Sequence, residues 1–341
     1  MTDLMRRWAI DAIGRNNLAL SQAPIPEPKP GELLVRVAAV SLNYRDKLVL
    51  ESGMGLPLVF PFSPGSDMAG TVAAAGAGAT RFKPGERVIT NFNAGWLEGK
   101  PAGTGRNPPY RSLGGTFPGV LAEYVAFPED WFVAAPKSLD DAEASTLPIT
   151  GLTVWTSLIE YGGLQAGQTV LVQGTGGVAL FGLQIAKAHG AKVIVTSGSD
   201  EKLARAKALG ADILINRSKE DWVEAVYRVT ADRGVDHILE IVGGANLGQA
   251  IRAVAIHGRI SVIGVLDGFE VSGPVGPLLM KGLTIQGIQV GHRRGLEDFT
   301  RAVEAIGLKP VIDKRYTFEQ VPEAFDHLDR GPFGKIVVEV G

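Results

Sequence analysis

The spacing of apolar positions changes texture once along this chain, at about Ala142. Before that point short aliphatic runs alternate with turns built on Pro30-Gly31, Pro64-Gly65, Pro84-Gly85 and Pro118-Gly119. Leu33–Val40, Ala69–Ala75, Arg87–Ile89 and Val120–Ala126 read as strands, and strands at this spacing predict a small β-barrel. After Ala142, helix and strand patterns take turns. Val170–Val172 is a run suited to a strand buried on both faces. A helix follows from about Val178 to His189, closed by Gly190, and then a strand at Val193–Thr196. Further strands are predicted at Ile213–Ile215, Val235–Val242, Arg259–Val265 and Leu283–Val290, with helices at Asp221–Thr230 and Ala245–Ile256. Six strands with short crossovers give an α/β, doubly wound parallel sheet. The tail offers a helix at Leu296–Ile306 and a strand at Lys335–Val340 that returns to the barrel.

Between the first strand and helix of the α/β region lies Gly174-Thr175-Gly176-Gly177-Val178-Ala179, a G-x-G-x-x-A turn. Glycines there let the backbone approach a pyrophosphate, and the helix N-terminus points unpaired N–H groups at it. Strand, turn, helix and second strand follow in the order a dinucleotide-binding unit requires. An acid that reads the adenosine ribose belongs about 20 residues on, at the end of the second strand. Here that place holds Ser197-Gly198-Ser199, with Lys202 beyond. Small hydroxyls and a cation suit a 2′-phosphate, so NADP(H) is the expected cofactor. Two alternatives remain: Ser199 caps the next helix with Lys202 solvated, or Asp200 serves as the ribose acid from the first helical turn.

Composition narrows the chemistry. The chain has 341 residues, room for two domains, with 34 basic and 36 acidic side chains and a net charge of -2. That balance gives no reason to expect nucleic acid or an anionic membrane as partner. No apolar run approaches the roughly 18 residues of a membrane span, and Met1-Thr2-Asp3-Leu4 does not start a signal peptide, so a cytoplasmic protein is expected. Cysteine is absent, and the five histidines are His189, His237, His257, His292 and His327. Disulfides and thiolate nucleophiles are therefore excluded, and zinc in the first 188 residues would have only oxygen ligands, which suits it poorly. No metal is expected.

Four stretches, Ser41-Leu42-Asn43-Tyr44-Arg45-Asp46, Pro64-Gly65-Ser66-Asp67-Met68-Ala69-Gly70, Gly85-Glu86-Arg87-Val88 and Val170–Ala179, together with Phe333-Gly334-Lys335-Ile336-Val337-Val338, resemble the medium-chain dehydrogenase/reductase superfamily. The likeness is greatest to its zinc-independent quinone oxidoreductase branch, whose members are often labelled zinc-type alcohol dehydrogenase-like. It implies a GroES-like β-barrel catalytic domain (1–146 and 292–341) and a Rossmann dinucleotide-binding domain (147–291). In zinc-dependent members a Cys ligand stands where this chain has Asn43, a His where it has Ser66, beside an acid matched by Asp67, and a third ligand near Ile149. The four cysteines of their structural-zinc lobe match the Gly/Pro-rich stretch from Asn91 to Thr116. Neither zinc is expected here.

The resemblance also implies roles. A reductase without zinc suits acceptors that already stabilise negative charge, such as quinones or alkenes conjugated to a carbonyl. Tyr44 is a candidate donor to the growing oxyanion, and Asn43 is a candidate to orient the carbonyl or, alternatively, a residue that only fixes a turn. Arg45 with Asp46 reads as an ion pair that shapes the loop. Phe92, Trp96 and Tyr110 are candidates to line the pocket of a flat acceptor or, alternatively, packing anchors. Enoyl-thioester reductases of the branch often carry a Tyr about ten residues after the Arg-Asp pair, and Glu51–Leu56 has none. Further cofactor positions are Thr150, Thr153, Gly243, Ile263, Val265, Gln289, Val290 and Gly291, with Arg217 at the 2′-phosphate. The apolar stretch Val271–Met280, too rich in Gly and Pro for a regular helix, is the expected homodimer contact.

Overall fold

The structure, a computed structural model, describes residues 3–341. It divides into two compact units, residues up to Leu152 with Gly291–Gly341, and Thr153–Val290. The 147–152 segment thus stays with the first unit rather than opening the second.

In the first unit β1 (Leu4–Ala9) and β2 (Ala19–Pro24) form an antiparallel hairpin. The long strand β3 (Glu32–Leu42) leads straight into helix α1 (Tyr44–Ser52). β3 pairs antiparallel with β4 (Asp67–Ala75), which pairs in turn with β5 (Arg87–Thr90). On its other side it takes β6 (Tyr124–Pro128), and β7 (Phe132–Ala134) adds to β5. The inward residues Leu33, Val35, Val37 and Val40 of β3 are buried. The predicted strand at Val120–Ala126 is corrected: its first half bonds the Pro64 loop and β1 instead of β3, Leu121 N to Pro64 O at 3.1 Å and Trp8 N to Leu121 O at 2.9 Å. Pairing with β3 begins only at Tyr124. A short helix α2 (Asp141–Ala144) is closed by a capping box between Asp140 and Glu143.

The chain then runs through α3 (Leu152–Trp155), flanked on both sides by wider π turns. The second unit holds six parallel strands: β8 (Thr169–Gln173), β9 (Lys192–Ser197), β10 (Ile213–Asn216), β11 (Val235–Glu240), β12 (Val254–Val262) and β13 (Thr284–Gly287). Their spatial order, β10-β9-β8-β11-β12-β13, reverses direction between β8 and β11, the switch point at which such sheets bind dinucleotides. All five residues of β8 are buried, as expected for a strand covered on both faces. The crossovers are α4 (Gly177–Ala188), α5 (Asp200–Ala208), α6 (Trp222–Val229), α7 (Asn246–Ala253) and α8 (Val275–Lys281). Gly182 of α4 lets the helix lie on the sheet, since a Cβ there would stand 2.6 Å from Leu239 Cδ1 and 2.9 Å from Val172 Cγ1.

Two predicted elements shift in this unit. Helix α7 stops at Ala253, three residues early, because Val254-Ala255-Ile256 keeps helical spacing yet Val254 already pairs with Val235 of β11. The stretch expected to be irregular contains α8. Pro277 falls in its first turn, where no intrahelical N–H is needed, and Gly282 closes it at φ +59. α8 leaves Leu279 and Met280 71% and 85% exposed beside the edge strand β13.

The tail supplies α9 (Arg293–Ile306), β14 (Ile312–Thr317), α10 (Val321–Asp329) and β15 (Lys335–Glu339). β15 pairs antiparallel with β3, Val338 opposite Val40, which is the predicted return to the first unit. No helix among the described residues is long and apolar enough to cross a membrane.

Candidate functional site

In the second unit, the carboxyl ends of the strands carry the expected dinucleotide loop. Gly174 turns at φ +78 and donates its N–H to Thr196 O at 2.7 Å, tying the loop to the next strand. Gly176 is the N-cap of the twelve-residue α4 and offers no side chain to its N–H groups, so Gly177 and Val178 present open donors for an anion. Thr175 is buried beside them.

Under this edge lies a residue that sequence reasoning passed over. The fully buried Glu240, last in β11, accepts from Val242 N at 2.9 Å, from Gly243 N at 2.9 and 3.2 Å, and from Asn246 Nδ2 at 2.7 Å. The same Asn246 amide donates to Gln173 Oε1 at 3.2 Å. One carboxylate thereby anchors the Gly243 turn beside the strand that feeds the glycine loop. The signal was present: an acid closing an apolar strand, followed by Ile-Val-Gly-Gly. Ile263 N bonds Glu240 O at 2.8 Å, so Ile263 and Val265 fall just past the end of β12. Gln289 and Val290 follow β13, and Val290 holds φ +58, a left-handed conformation that β-branched residues rarely adopt. Thr153 is buried and its carbonyl accepts from Ser157 Oγ.

At the end of β9, Ser197 is buried and its Oγ accepts from Ser199 N at 3.3 Å. Ser199 Oγ in turn caps α5 by accepting from Lys202 N at 3.3 Å. Arg217 follows β10 on the neighbouring strand, exposed, its N–H bonded to Ser197 O at 3.0 Å.

In the first unit, the residues at the zinc-ligand positions form a buried polar centre. Asn43 N-caps α1, and its backbone N–H donates to Asp46 Oδ2 at 2.9 Å. Its side-chain Nδ2 donates to Asp67 Oδ2 at 2.9 Å; its Oδ1 accepts from Lys335 Nζ at 2.6 Å and from Thr150 Oγ1 at 3.2 Å. Lys335 also bonds Leu42 O at 2.7 Å. Asp67 Oδ2 takes Ile149 N as well, at 3.1 Å, whereas the buried Oδ1 has no partner among the described residues. Burial pushes the Asp67 carboxyl up to about 7, against the pull of the Lys335 charge and the Asn43 amide. Burial likewise lowers the Lys335 ammonium to about 8, against the attraction of Asp67 and Asp46.

Both ends of the Asn43 amide are engaged inside the protein, and the residue fixes the start of α1. Tyr44, the next residue, is 40% exposed, and its hydroxyl makes no hydrogen bond among the described residues. Lys335 carries no role in the sequence reading beyond its place in the closing Phe333–Val338 stretch; a charge heading the apolar run Ile336-Val337-Val338 was the available clue. Thr150 and Gly291 belong to the first unit, Gly291 O accepting from Asn93 Nδ2 at 2.9 Å.

Arg45 serves the stretch from Asn91 to Thr116. Its guanidinium pairs with Asp46 at 3.2 Å, bonds Ser66 Oγ, and reaches Tyr110 Oη at 3.3 Å, Leu113 O at 3.3 Å and Gly114 O at 3.2 Å. It also stacks 5.0 Å from the Phe92 ring centre. Phe92 is buried and meets Tyr110 edge-on, so it is a packing anchor rather than a pocket wall. Trp96 packs edge-on against His292 at 5.5 Å.

Comparison with known proteins agrees with both units. The alcohol dehydrogenase GroES-like domain model matches residues 29–137, and the zinc-binding dehydrogenase model matches residues 177–307. The chain belongs to the medium-chain dehydrogenase/reductase superfamily. It is an oxidoreductase of that superfamily, which uses NAD(P)(H). A solved structure described as a putative alcohol dehydrogenase from Sinorhizobium meliloti 1021 is 65% identical, with both chains covered fully and a TM-score of 0.97. Another, described as an NAD-dependent alcohol dehydrogenase, is 35% identical with a TM-score of 0.88, over 99% of this chain and 100% of that one. The quinone oxidoreductase of Pongo abelii is 28% identical over 93% of this chain and 92% of its own.

The zinc that the family model's description implies does not fit these residues. Asn43, Ser66 and Ile149 offer no thiolate or imidazole, and the Lys335 ammonium already occupies Asn43 Oδ1. A dinucleotide fits: the glycine turn, the open N-terminus of α4 and the strand order all match the chemistry of a pyrophosphate site.

Proposed function

We propose that the protein is a zinc-independent, NADPH-dependent reductase of quinones or of alkenes conjugated to a carbonyl. The observation that carries the reading is the ammonium of Lys335 bonded to Asn43, at the position where zinc-dependent members place a thiolate. Bound NADPH would supply the hydride. Gly174, Thr175, Gly176, Gly177 and Val178 would hold its pyrophosphate, and Ser197, Ser199, Lys202 and Arg217 its 2′-phosphate. Quinones and enones need no Lewis acid, because conjugation spreads the charge that hydride brings. Tyr44, exposed at the first turn of α1, donates a hydrogen bond to the resulting oxyanion. The likeness to a quinone oxidoreductase supports this choice of acceptor.

The likeness to proteins described as alcohol dehydrogenases favours a second reading, oxidation of an alcohol. A cofactor-oxidation screen against quinones, enones, aldehydes and alcohols, run beside elemental analysis, separates the two. We expect turnover of quinones or enones that chelators leave unchanged. About one zinc per chain, lost together with alcohol turnover, would establish the second reading. We further propose a homodimer through the second unit, with the exposed face of α8 and the edge strand β13 covered by a two-fold mate.

A further inference from the structure

The acid that an NAD-type ribose site calls for is present in this chain, one turn late and already occupied. Asp200 is the first residue of α5, 24 positions after Gly176, and follows β9 at the same edge as the glycine loop. Its Oδ1 accepts from Asn216 Nδ2 at 2.6 Å and its Oδ2 from Lys219 Nζ at 2.5 Å. These partners come from the end of β10 and the turn after it. Asn216 is itself fixed, since its Oδ1 accepts from Ser218 N at 3.0 Å and its carbonyl from Lys219 N at 3.0 Å. Lys219, and after it Asn216, holds the Asp200 carboxyl below the usual range.

Between those partners sits Arg217, whose guanidinium makes no hydrogen bond or ion pair to a described residue. It leans toward the end of β9: a Cβ built on Gly198 would lie 4.0 Å from Arg217 Nη2 and 2.9 Å from Ser218 Oγ. The strand end thus presents one neutralised acid and one uncommitted guanidinium. A free carboxylate here would accept the hydroxyls of a 2′-OH ribose and would repel a 2′-phosphate.

We propose that Asn216 and Lys219 hold Asp200 away from the ribose and cancel its charge, so that this pair is a specificity determinant against cofactors lacking the 2′-phosphate. The proposal rests on the NADPH reading above, yet can fail separately from it. Asp200 and Lys219 are each more than half exposed, and an exposed ion pair shifts an equilibrium by no more than about fivefold. Breaking it should therefore be enough to alter selectivity.

The test titrates the adenosine half alone, with 2′,5′-ADP and 5′-AMP as calorimetric probes, so that no turnover is needed. Wild type should prefer 2′,5′-ADP. Lys219→Met should lose roughly fivefold in 2′,5′-ADP affinity and gain two- to fivefold in 5′-AMP affinity. Adding Asp200→Asn to Lys219→Met should restore the wild-type preference, which a direct Lys219–phosphate contact would not allow. A Lys219→Met variant that loses 2′,5′-ADP affinity without recovery in the double variant overturns the proposal. So does Asp200→Asn alone weakening 5′-AMP, because Asp200 would then already read the ribose. Equal wild-type affinity for the two probes would overturn the NADPH reading, while the 5′-AMP gain in Lys219→Met would still decide the role of Asp200.

Discussion

Replacing Lys335 by Met should destabilise the first unit by an amount that grows with pH. Asp67 is fully buried with an ordinary value of 3.8, which burial moves to about 7 in the folded chain. A carboxyl raised in this way is held neutral by the fold, so its contribution is most favourable at acid pH. Between pH 3.8 and about 7 the unfolded chain releases the proton and the folded chain keeps it, and stability falls as pH rises. At about 1.36 kcal/mol per unit, the cost at pH 7 reaches ~4 kcal/mol. The ammonium of Lys335 prevents that cost from growing further. Without it, Asp67 keeps only the Asn43 amide and the Ile149 N–H, its folded value moves above 7, and the decline continues into alkaline pH. Removing one partner of a buried pair typically costs about 3–5 kcal/mol, and most of that should be felt at pH 8 and little at pH 5. Lys335 itself, lowered to about 8, makes the wild type gain stability from pH 8 toward 10.5, a gain the variant lacks. Native-state hydrogen exchange of the β3 and β15 amides at pH 5, 7 and 8.5 reads this unit alone. Equal losses at pH 5 and 8.5 would show that lost packing, not charge, sets the cost. Asp67→Asn/Lys335→Met should remove the pH dependence in either case.

Three shorter predictions follow from the second unit. Burial lowers His237 to about 4, so it is held neutral; its contribution is complete above 6.5 and lost as pH falls through 4. His237→Gln should flatten that ~3 kcal/mol slope in exchange of the β8 and β11 amides, and an unchanged slope would assign it elsewhere. Gly182→Ala should cost about 1–3 kcal/mol and weaken NADPH binding, because the new Cβ collides with Leu239 and Val172 under α4; calorimetry and urea unfolding decide it. Leu279→Asp should shift the proposed dimer toward the 36.1 kDa monomer in light scattering, and an unchanged dimer mass would place the contact elsewhere.

Most strands of the parallel sheet and the glycine loop were legible because burial on two faces forces continuous apolar runs, as in β8. Legibility failed where an apolar run served two periods. Val254-Ala255-Ile256 extends the α7 pattern and yet starts β12. α8 was hidden by its own composition, since Pro277 is compatible with a first turn that its neighbours do not announce. Helix α1 was missed because its first-turn carboxylate and guanidinium serve contacts inside the protein, Asp46 fully buried, so the Arg-Asp pair does not announce a helix start. At the candidate site, Asn43 could be singled out by position. Its engagement by Lys335, 292 residues away, is a tertiary contact that no local pattern carries.

Arg45 has one more consequence, which concerns chemical durability. Quinones and enones are electrophiles that alkylate thiolates, and zinc-dependent members keep four thiolates in the lobe that corresponds to the stretch from Asn91 to Thr116. In this chain a guanidinium, too weak a nucleophile to be attacked at neutral pH, cross-braces that stretch through Tyr110, Leu113 and Gly114. With no cysteine anywhere, the protein offers its proposed substrates no thiol to alkylate. A brace of hydrogen bonds can also be broken and remade by thermal motion, whereas an alkylated metal ligand is lost for good.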